Sequence, residues 1–256
     1  MSNFDLKWKT ESEPSLVRYG WSKTQRQFVY QQYWKLLKNE IDKIFPEHKK
    51  GLSCVEVGSG RGTLSQYMKN EGFKEKCIDR EEEALKVALS NGLSAEKGDG
   101  EKLEYPNDIF DVAFSVGVLE HMDWKKGLGE MYRVAKPNGL VVNYIMPHKS
   151  SMRDLNIFST QKDYHRENIK TEELFEFISG LKPKYVDIKI VNSYPLFTPI
   201  PKWFEFICAS LWHIACKIKG FGGSKKWSQT LFVAIQKSEN NRDGYKFNMN
   251  KFSSFV

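Results

Sequence analysis

No stretch of this 256-residue sequence holds the roughly 20 consecutive apolar residues that a membrane-spanning helix needs. Cysteine is sparse. Cys54, Cys77, Cys208 and Cys216 lie far apart, with no Cys-x-x-Cys pair and no His at metal-ligand spacing, which excludes a disulfide scaffold and a zinc module. They read as reduced core residues. The start, MSNFDLKWKTESEPS, lacks the apolar core of a secretory signal, so the expected compartment is the cytoplasm. Long runs of one charge sign are missing too. The formal charge of +7 comes from small scattered groups, such as Lys49 with Lys50 and Lys125 with Lys126, so nucleic acid is not the expected partner. There is no internal repeat and no domain linker.

What the chain does have is material for a core. With 40% hydrophobic and 14% aromatic residues it can build one α/β domain, and disorder is excluded as a general description. From Trp21 to Phe45, residues Phe28, Val29, Tyr33, Leu36, Leu37, Ile41, Ile44 and Phe45 recur at helical spacing, with Ser22 or Thr24 as a cap. A buried-strand pattern through Leu52, Cys54, Val55 and Val57 runs into a glycine-rich turn and a helix from Thr63 to Asn70. The alternation continues with a strand at Cys77 and Ile78, a helix from Glu81 to Ser90 and a short strand before Gly98. It goes on with an apolar run from Val112 to Val116, a helix from Lys125 to Val134, the turn Lys136-Pro137-Asn138-Gly139 and a strand from Leu140 to Ile145. A helix from Thr171 to Ser179 and strands from Tyr185 to Val191 and Thr230 to Gln236 complete the pattern. Such alternation predicts a mostly parallel sheet with helices on both faces.

The chemistry concentrates in Glu56-Val57-Gly58-Ser59-Gly60-Arg61-Gly62, read together with Asp79 at the end of the second strand. A nicotinamide fingerprint would place its third glycine at Thr63 and has no need of an acid before the first glycine. Both details suit a ligand with a zwitterionic amino-acid end, a ribose and an adenine. Gly58 and Gly60 let backbone approach the ligand, and the helix start beyond them offers amide donors to a carboxylate. Glu56 can offset an ammonium directly or through water, and Asp79 can accept from both ribose hydroxyls.

On these residues the sequence resembles the class I S-adenosylmethionine-dependent methyltransferases, in particular the type 11 methyltransferase domain. The likeness spans about Leu52 to Ile145 and has three further elements: Gly98-Asp99-Gly100-Glu101, the run from Phe110 to His121, and Arg133-Val134-Ala135-Lys136-Pro137-Asn138-Gly139. Asn138 departs from a second glycine in many relatives, which a left-handed backbone tolerates. The resemblance implies a Rossmann-like, doubly wound, mostly parallel seven-stranded sheet, with an N-terminal helix and a helical insertion before the last strand. S-adenosyl-L-methionine is the implied cofactor, and S-adenosyl-L-homocysteine its product. Glu56, Gly58, Ser59, Gly60, Gly62, Asp79, Arg80, Asp99, Gly100, Ser115 and Val116 are its implied binding residues. Asp99 would meet the adenine amino group, and Ser115 and Val116 the methionine part.

For the transfer itself, His121 after the fourth strand is the candidate base, with capping of the next turn as its structural reading. Tyr164 and His165, after the fifth strand, are candidates to meet the substrate, and His148 is a weaker one. No metal is expected. Ser115-Val116-Gly117-Val118 stands where nucleic acid amino-methylating enzymes carry an Asp/Asn/Ser-Pro-Pro-aromatic motif, and no Pro-Cys nucleophile is present. The expected acceptor is therefore an O or N nucleophile of a small molecule. A lipid-linked acceptor and a non-catalytic regulatory protein are the alternatives.

The expected layout is one domain over 1–237. It comprises a lid region at 1–46 (Arg18, Tyr19 and Trp21 covering the cofactor or packing the helix), a cofactor half at 52–146 and a substrate half at 147–237. An insertion at 196–224 and a flexible tail at 238–256 complete it. Within the insertion, 199–219 wound as a helix places Lys202, Glu205, Ser210, His213 and Lys217 on one sector and leaves a wide apolar arc. Three readings of it stay open: an active-site lid, peripheral membrane contact and a homodimer contact.

Overall fold

The computed structural model describes residues 23–47, 50–145, 169–191 and 230–239. Helix α1 (Lys23–Ile44) leads to β1 (Ser53–Val57), α2 (Thr63–Asn70), β2 (Lys74–Asp79), α3 (Glu82–Ser90), β3 (Ala95–Lys97) and β4 (Phe110–Val116). A 3₁₀ turn (Leu119–His121) follows, then α4 (Trp124–Val134), β5 (Ala135–Ile145), α5 (Thr171–Gly180), β6 (Tyr185–Val191) and β7 (Thr230–Gln236). The strands form one 7-stranded sheet in the order β3-β2-β1-β4-β5-β7-β6. Pairs from β3 through β5 are parallel, while β7 runs antiparallel to both β5 and β6. This is the doubly wound, mostly parallel sheet that the alternation predicts.

Both faces are covered, which is why β1, β4 and β7 read as nearly unbroken apolar runs. On one face α1 lays Val29, Tyr33, Leu37 and Ile41, one turn apart, against Phe114, Val142 and Phe232, beside Leu64 and Met68 of α2. The Tyr33 hydroxyl lies 3.1 Å from Thr230 Oγ1, and the Tyr144 hydroxyl donates to the Tyr33 carbonyl. These bonds seat α1 beside the carboxyl end of β5. On the other face, Trp124, Leu128 and Met131 of α4 pack with Leu174, Phe175 and Ile178 of α5. Full burial of each such side chain stabilises the fold by ~1.5–3 kcal/mol.

Two boundaries differ from the sequence reading. The residues Lys136 to Gly139, expected as a free turn, are absorbed into β5. Phe110 pairs with Ala135 and Val112 with Leu140, so the extra residues form a bulge with Asn138 at φ 62. The bulge is held from β7, because Lys237 N donates to the Gly139 carbonyl at 2.9 Å and Asn138 N to the Lys237 carbonyl at 3.0 Å. The expected flexible tail begins at 238, yet Ser238 is buried and the Glu239 carboxylate accepts from Asn138 Nδ2 at 2.8 Å. Residues 240–256, the insertion at 196–224, and Arg18, Tyr19, Trp21 and the cap side chains Ser22 and Thr24 lie outside what is described. Among the described residues, no helix is long and apolar enough to cross a membrane.

At the far sheet edge, Glu40 of α1 is fully buried and accepts from Lys43 Nζ at 2.6 Å and Lys189 Nζ at 2.8 Å. It ties α1 to β6. Glu40→Ala removes one acceptor from both ammonium groups, while Asp187 Oδ2, 2.7 Å from Lys189 Nζ and 3.5 Å from Lys43 Nζ, keeps them partly paired. The expected loss is about 1–3 kcal/mol in urea unfolding, against under about 0.5 kcal/mol for the surface control Asp42→Ala.

Candidate functional site

The sheet reverses its strand order between β1 and β4, and in such sheets ligands bind outside the carboxyl ends at that point. Here the chain leaves β1 through Gly58, Gly60 and Gly62, at φ 65, 54 and 69. A Cβ on Gly58 would stand 2.4 Å from both methyl groups of Val118, so glycine alone lets this turn close against the loop after β4. Ser59 N donates to the Ile78 carbonyl at 3.0 Å. Asp79 then holds the middle of the turn, its Oδ2 accepting from Gly60 N at 2.6 Å while Oδ1 accepts from Glu81 N at 2.9 Å. Each oxygen keeps lone-pair capacity for a further donor.

The turn opens directly into α2, whose N-cap is Gly62 and has no capping side chain. Glu56 does that work from β1. Its Oε2 accepts from Ser65 N at 3.0 Å and from Ser65 Oγ at 2.6 Å. At 2% exposure, burial pushes the Glu56 carboxyl up to about 8, against the two Ser65 bonds that pull it down. The sequence reading aimed Glu56 at an ammonium group and missed this bond. The available signal was Ser65, in the first turn of a helix whose cap position is glycine.

Past β3, Asp99 Oδ1 accepts from Glu101 N at 2.9 Å and from Arg80 Nη2, which also reaches Glu101 Oε1 at 3.3 Å. Burial raises the Asp99 carboxyl, but these bonds outweigh it and leave the group below the usual carboxylate range. The Asp99 side chain remains 51% exposed, so its pair with Arg80 is a weak surface bond that a ligand can replace. Gly100 lets this loop rest on β1, since a Cβ there would lie 2.7 Å from Val57 Cγ1. Arg133, quoted above only as part of a motif, anchors the chain leading on to β4. Its guanidinium donates to the Leu103 carbonyl at 2.9 Å, the Tyr105 carbonyl at 2.7 Å and Asn107 Oδ1 at 2.9 Å.

Ser115, next to last in β4, is fully buried, and its Oγ lies 2.7 Å from Asn143 Oδ1 on β5. Asn143 was not among the expected residues. Val116 ends β4. His121 closes the 3₁₀ turn half-buried, its backbone N–H on the Val118 carbonyl at 2.9 Å. Thus the residues expected at the cofactor stand at the carboxyl ends of β1 to β4, with His121 on the same loop as Val118. Tyr164, His165 and His148 lie outside the described residues.

This geometry defines a doubly wound α/β fold with a glycine turn at its switch point. Residues 55–143 match the family model described as methyltransferase domain. Over 180 residues the chain is 32% identical to 2-methyl-6-phytyl-1,4-hydroquinone methyltransferase 1, chloroplastic, of Oryza sativa subsp. japonica, covering 66% of this chain and 50% of that protein. A demethylmenaquinone methyltransferase of Leptospira interrogans is 32% identical over 130 residues, covering 45% of this chain and 51% of that protein. A solved structure of Haemonchus contortus phosphoethanolamine N-methyltransferase 2, with phosphomonomethylethanolamine and S-adenosylhomocysteine bound, superposes with TM-score 0.58. Its identity is 17%, over 84% of this chain and 58% of that one, so it speaks for the fold. Residues 55–143 are thus similar to the methyltransferase domain, on a fold shared with solved structures that bind S-adenosylmethionine or its product. The chain spans about half the length of the relatives it matches.

The residues present fit that cofactor. At the start of α2, Glu56 takes the Ser65 N–H while Gly62 adds no side chain of its own, and the Asp79 oxygens can take ribose hydroxyls as well as the turn.

The raised Glu56 carboxyl sets a pH dependence. An unfolded chain gives up this proton near 4.5 and the folded one near 8, so folding stability falls as pH rises through that window. Glu56→Gln removes the contribution. Its stability relative to the natural chain should therefore increase from pH 5 to pH 8 in paired urea titrations, and a difference that does not change with pH would contradict this assignment.

Proposed function

We propose that the chain transfers a methyl group from S-adenosylmethionine to an oxygen or nitrogen of a small-molecule acceptor. The observation that carries this is the glycine turn at the β1/β4 switch point, pinned by Asp79, within the residues that match the methyltransferase model. When bound, the cofactor supplies an already activated methyl on a sulfonium, so the protein's task is alignment and exclusion of water. Asp79 accepts the ribose hydroxyls while keeping Gly60 in place, and Asp99 exchanges Arg80 for the adenine amino group. The N–H groups at the start of α2 face the carboxylate end. Ser115 and Val116 flank the methionine part.

His121, on the loop after β4, takes the proton that the attacking hydroxyl or amine gives up as its lone pair displaces the thioether from the methyl carbon. Tyr164 and His165 are the residues expected from the sequence to meet the acceptor. The matched relatives bear the names of a phytyl hydroquinone and a demethylmenaquinone methyltransferase. Those names favour a second reading, an apolar acceptor met at a membrane surface through 199–219 by an otherwise cytoplasmic protein. Co-sedimentation of the full chain with anionic vesicles supports it, and its absence removes it.

Asp79→Ala should weaken S-adenosylhomocysteine binding by about 1.5–3 kcal/mol in calorimetric titration, the scale of losing a hydrogen-bonded charge. His121→Gln should leave that binding unchanged and slow transfer of labelled methyl to an acceptor by roughly 10²-fold or more. Labelled methyl appearing on any acceptor rejects a purely regulatory binder. A folded Asp79→Ala protein of unchanged affinity would remove the ribose assignment.

A further inference from the structure

The amide of Asn143 is fully buried, and among the described residues its Nδ2 has no hydrogen-bond partner, while its Oδ1 is held by Ser115 Oγ. Buried side-chain donors are seldom left so, because the desolvation cost is not recovered. An aliphatic residue would avoid that cost. The face of the sheet that carries Asn143 also carries Ala113, Val141, Ile145, Leu231 and Val233, all in one apolar cluster with Leu119 of the 3₁₀ turn. The amide oxygen satisfies the buried Ser115 hydroxyl, whereas Nδ2 serves no bond of the fold among the described residues.

Its position is informative. Ser115 pairs with Asn143 in register, and the next pair, Val116 with Tyr144, is the last between β4 and β5. The Ser115–Asn143 pair thus stands one register step, about 3.3 Å, below the carboxyl edge of the sheet. That edge is where the glycine turn meets Val118 and where His121 sits.

We propose that Asn143, oriented by Ser115, is the polar floor of the acceptor pocket. Its Nδ2 donates to an uncharged oxygen of a largely apolar acceptor, one other than the atom that receives the methyl group. The pair carries no charge and its surroundings are apolar, so it favours a hydroxyl or carbonyl oxygen and offers nothing to balance a phosphate or carboxylate. This inference rests on the methyltransferase reading and adds the class of acceptor to it.

The test titrates 4-octylcatechol, an uncharged dihydroxy aromatic with an alkyl tail, into the full chain saturated with S-adenosylhomocysteine, with phosphoethanolamine as the charged comparison. The natural chain should bind the catechol and not phosphoethanolamine. Asn143→Leu should weaken the catechol by about tenfold or more while S-adenosylhomocysteine affinity is unchanged. Its melting temperature should stay close to that of the natural chain, since the unpaired Nδ2 is gone while Ser115 Oγ loses its acceptor. Asn143→Ala repeats the comparison should the leucine variant not fold. If S-adenosylhomocysteine binds but the catechol does not, or binds both variants as well as the natural chain, the pocket assignment is overturned and the methyltransferase reading stands. A lower melting temperature in both variants with catechol affinity intact makes the amide structural. Failure of S-adenosylhomocysteine to bind the natural chain overturns both.

Discussion

The bond from Gly60 N to Asp79 Oδ2, at 2.6 Å, is the constraint on which the rest of the candidate site depends. It joins the turn after β1 to the end of the neighbouring strand, and a left-handed backbone at Gly58, Gly60 and Gly62 brings the N–H into reach. With the turn pinned on one side by Asp79 and stopped on the other by Val118, α2 starts at a fixed place. Glu56 completes the arrangement by capping that helix from β1. Two carboxylates on adjacent strands thereby shape one loop. One is sealed in the core and kept largely protonated by burial, and the other stays near solvent with capacity for a ligand.

The sheet converts that local geometry into a site. Parallel strands from β3 to β5 set all their carboxyl ends at one edge, so Asp79, Asp99, Ser115 and the glycine turn converge although they are distant in sequence. Arg133 then fixes the chain between Asp99 and β4 through three oxygen acceptors, which holds the Asp99 loop against β1. Packing on the opposite face brings α1 to the same edge through Tyr33, Thr230 and Tyr144.

Much of this was legible in the sequence, for identifiable reasons. Helices α2, α3 and α5 and strands β6 and β7 fall within a residue or so of their apolar patterns because glycine, asparagine or a polar cluster punctuates each end. The start of β5 was not legible, since Lys136-Pro137-Asn138-Gly139 has the composition of a turn and becomes a bulge only because Ala135 and Leu140 on either side pair with Phe110 and Val112 and Lys237 bonds to it. The bonds of Glu56 to Ser65 and of Ser115 to Asn143 were hidden for a different reason. Each depends on register and on side-chain direction between elements, which periodicity does not carry. A polar residue within the apolar run Leu140 to Ile145 was nonetheless a signal for Asn143. The antiparallel insertion of β7 between β5 and β6 is likewise a tertiary decision, reached only when both strands bury their faces.

The central claim is that the turn after β1 is built for an amino-acid-bearing adenosyl cofactor and not for a pyrophosphate. Parallel calorimetric titration of the full chain with S-adenosylmethionine, S-adenosylhomocysteine and NAD tests it most directly. The account predicts saturable binding of the first two and none of NAD, whereas binding of NAD alone, or of none of the three, would contradict it.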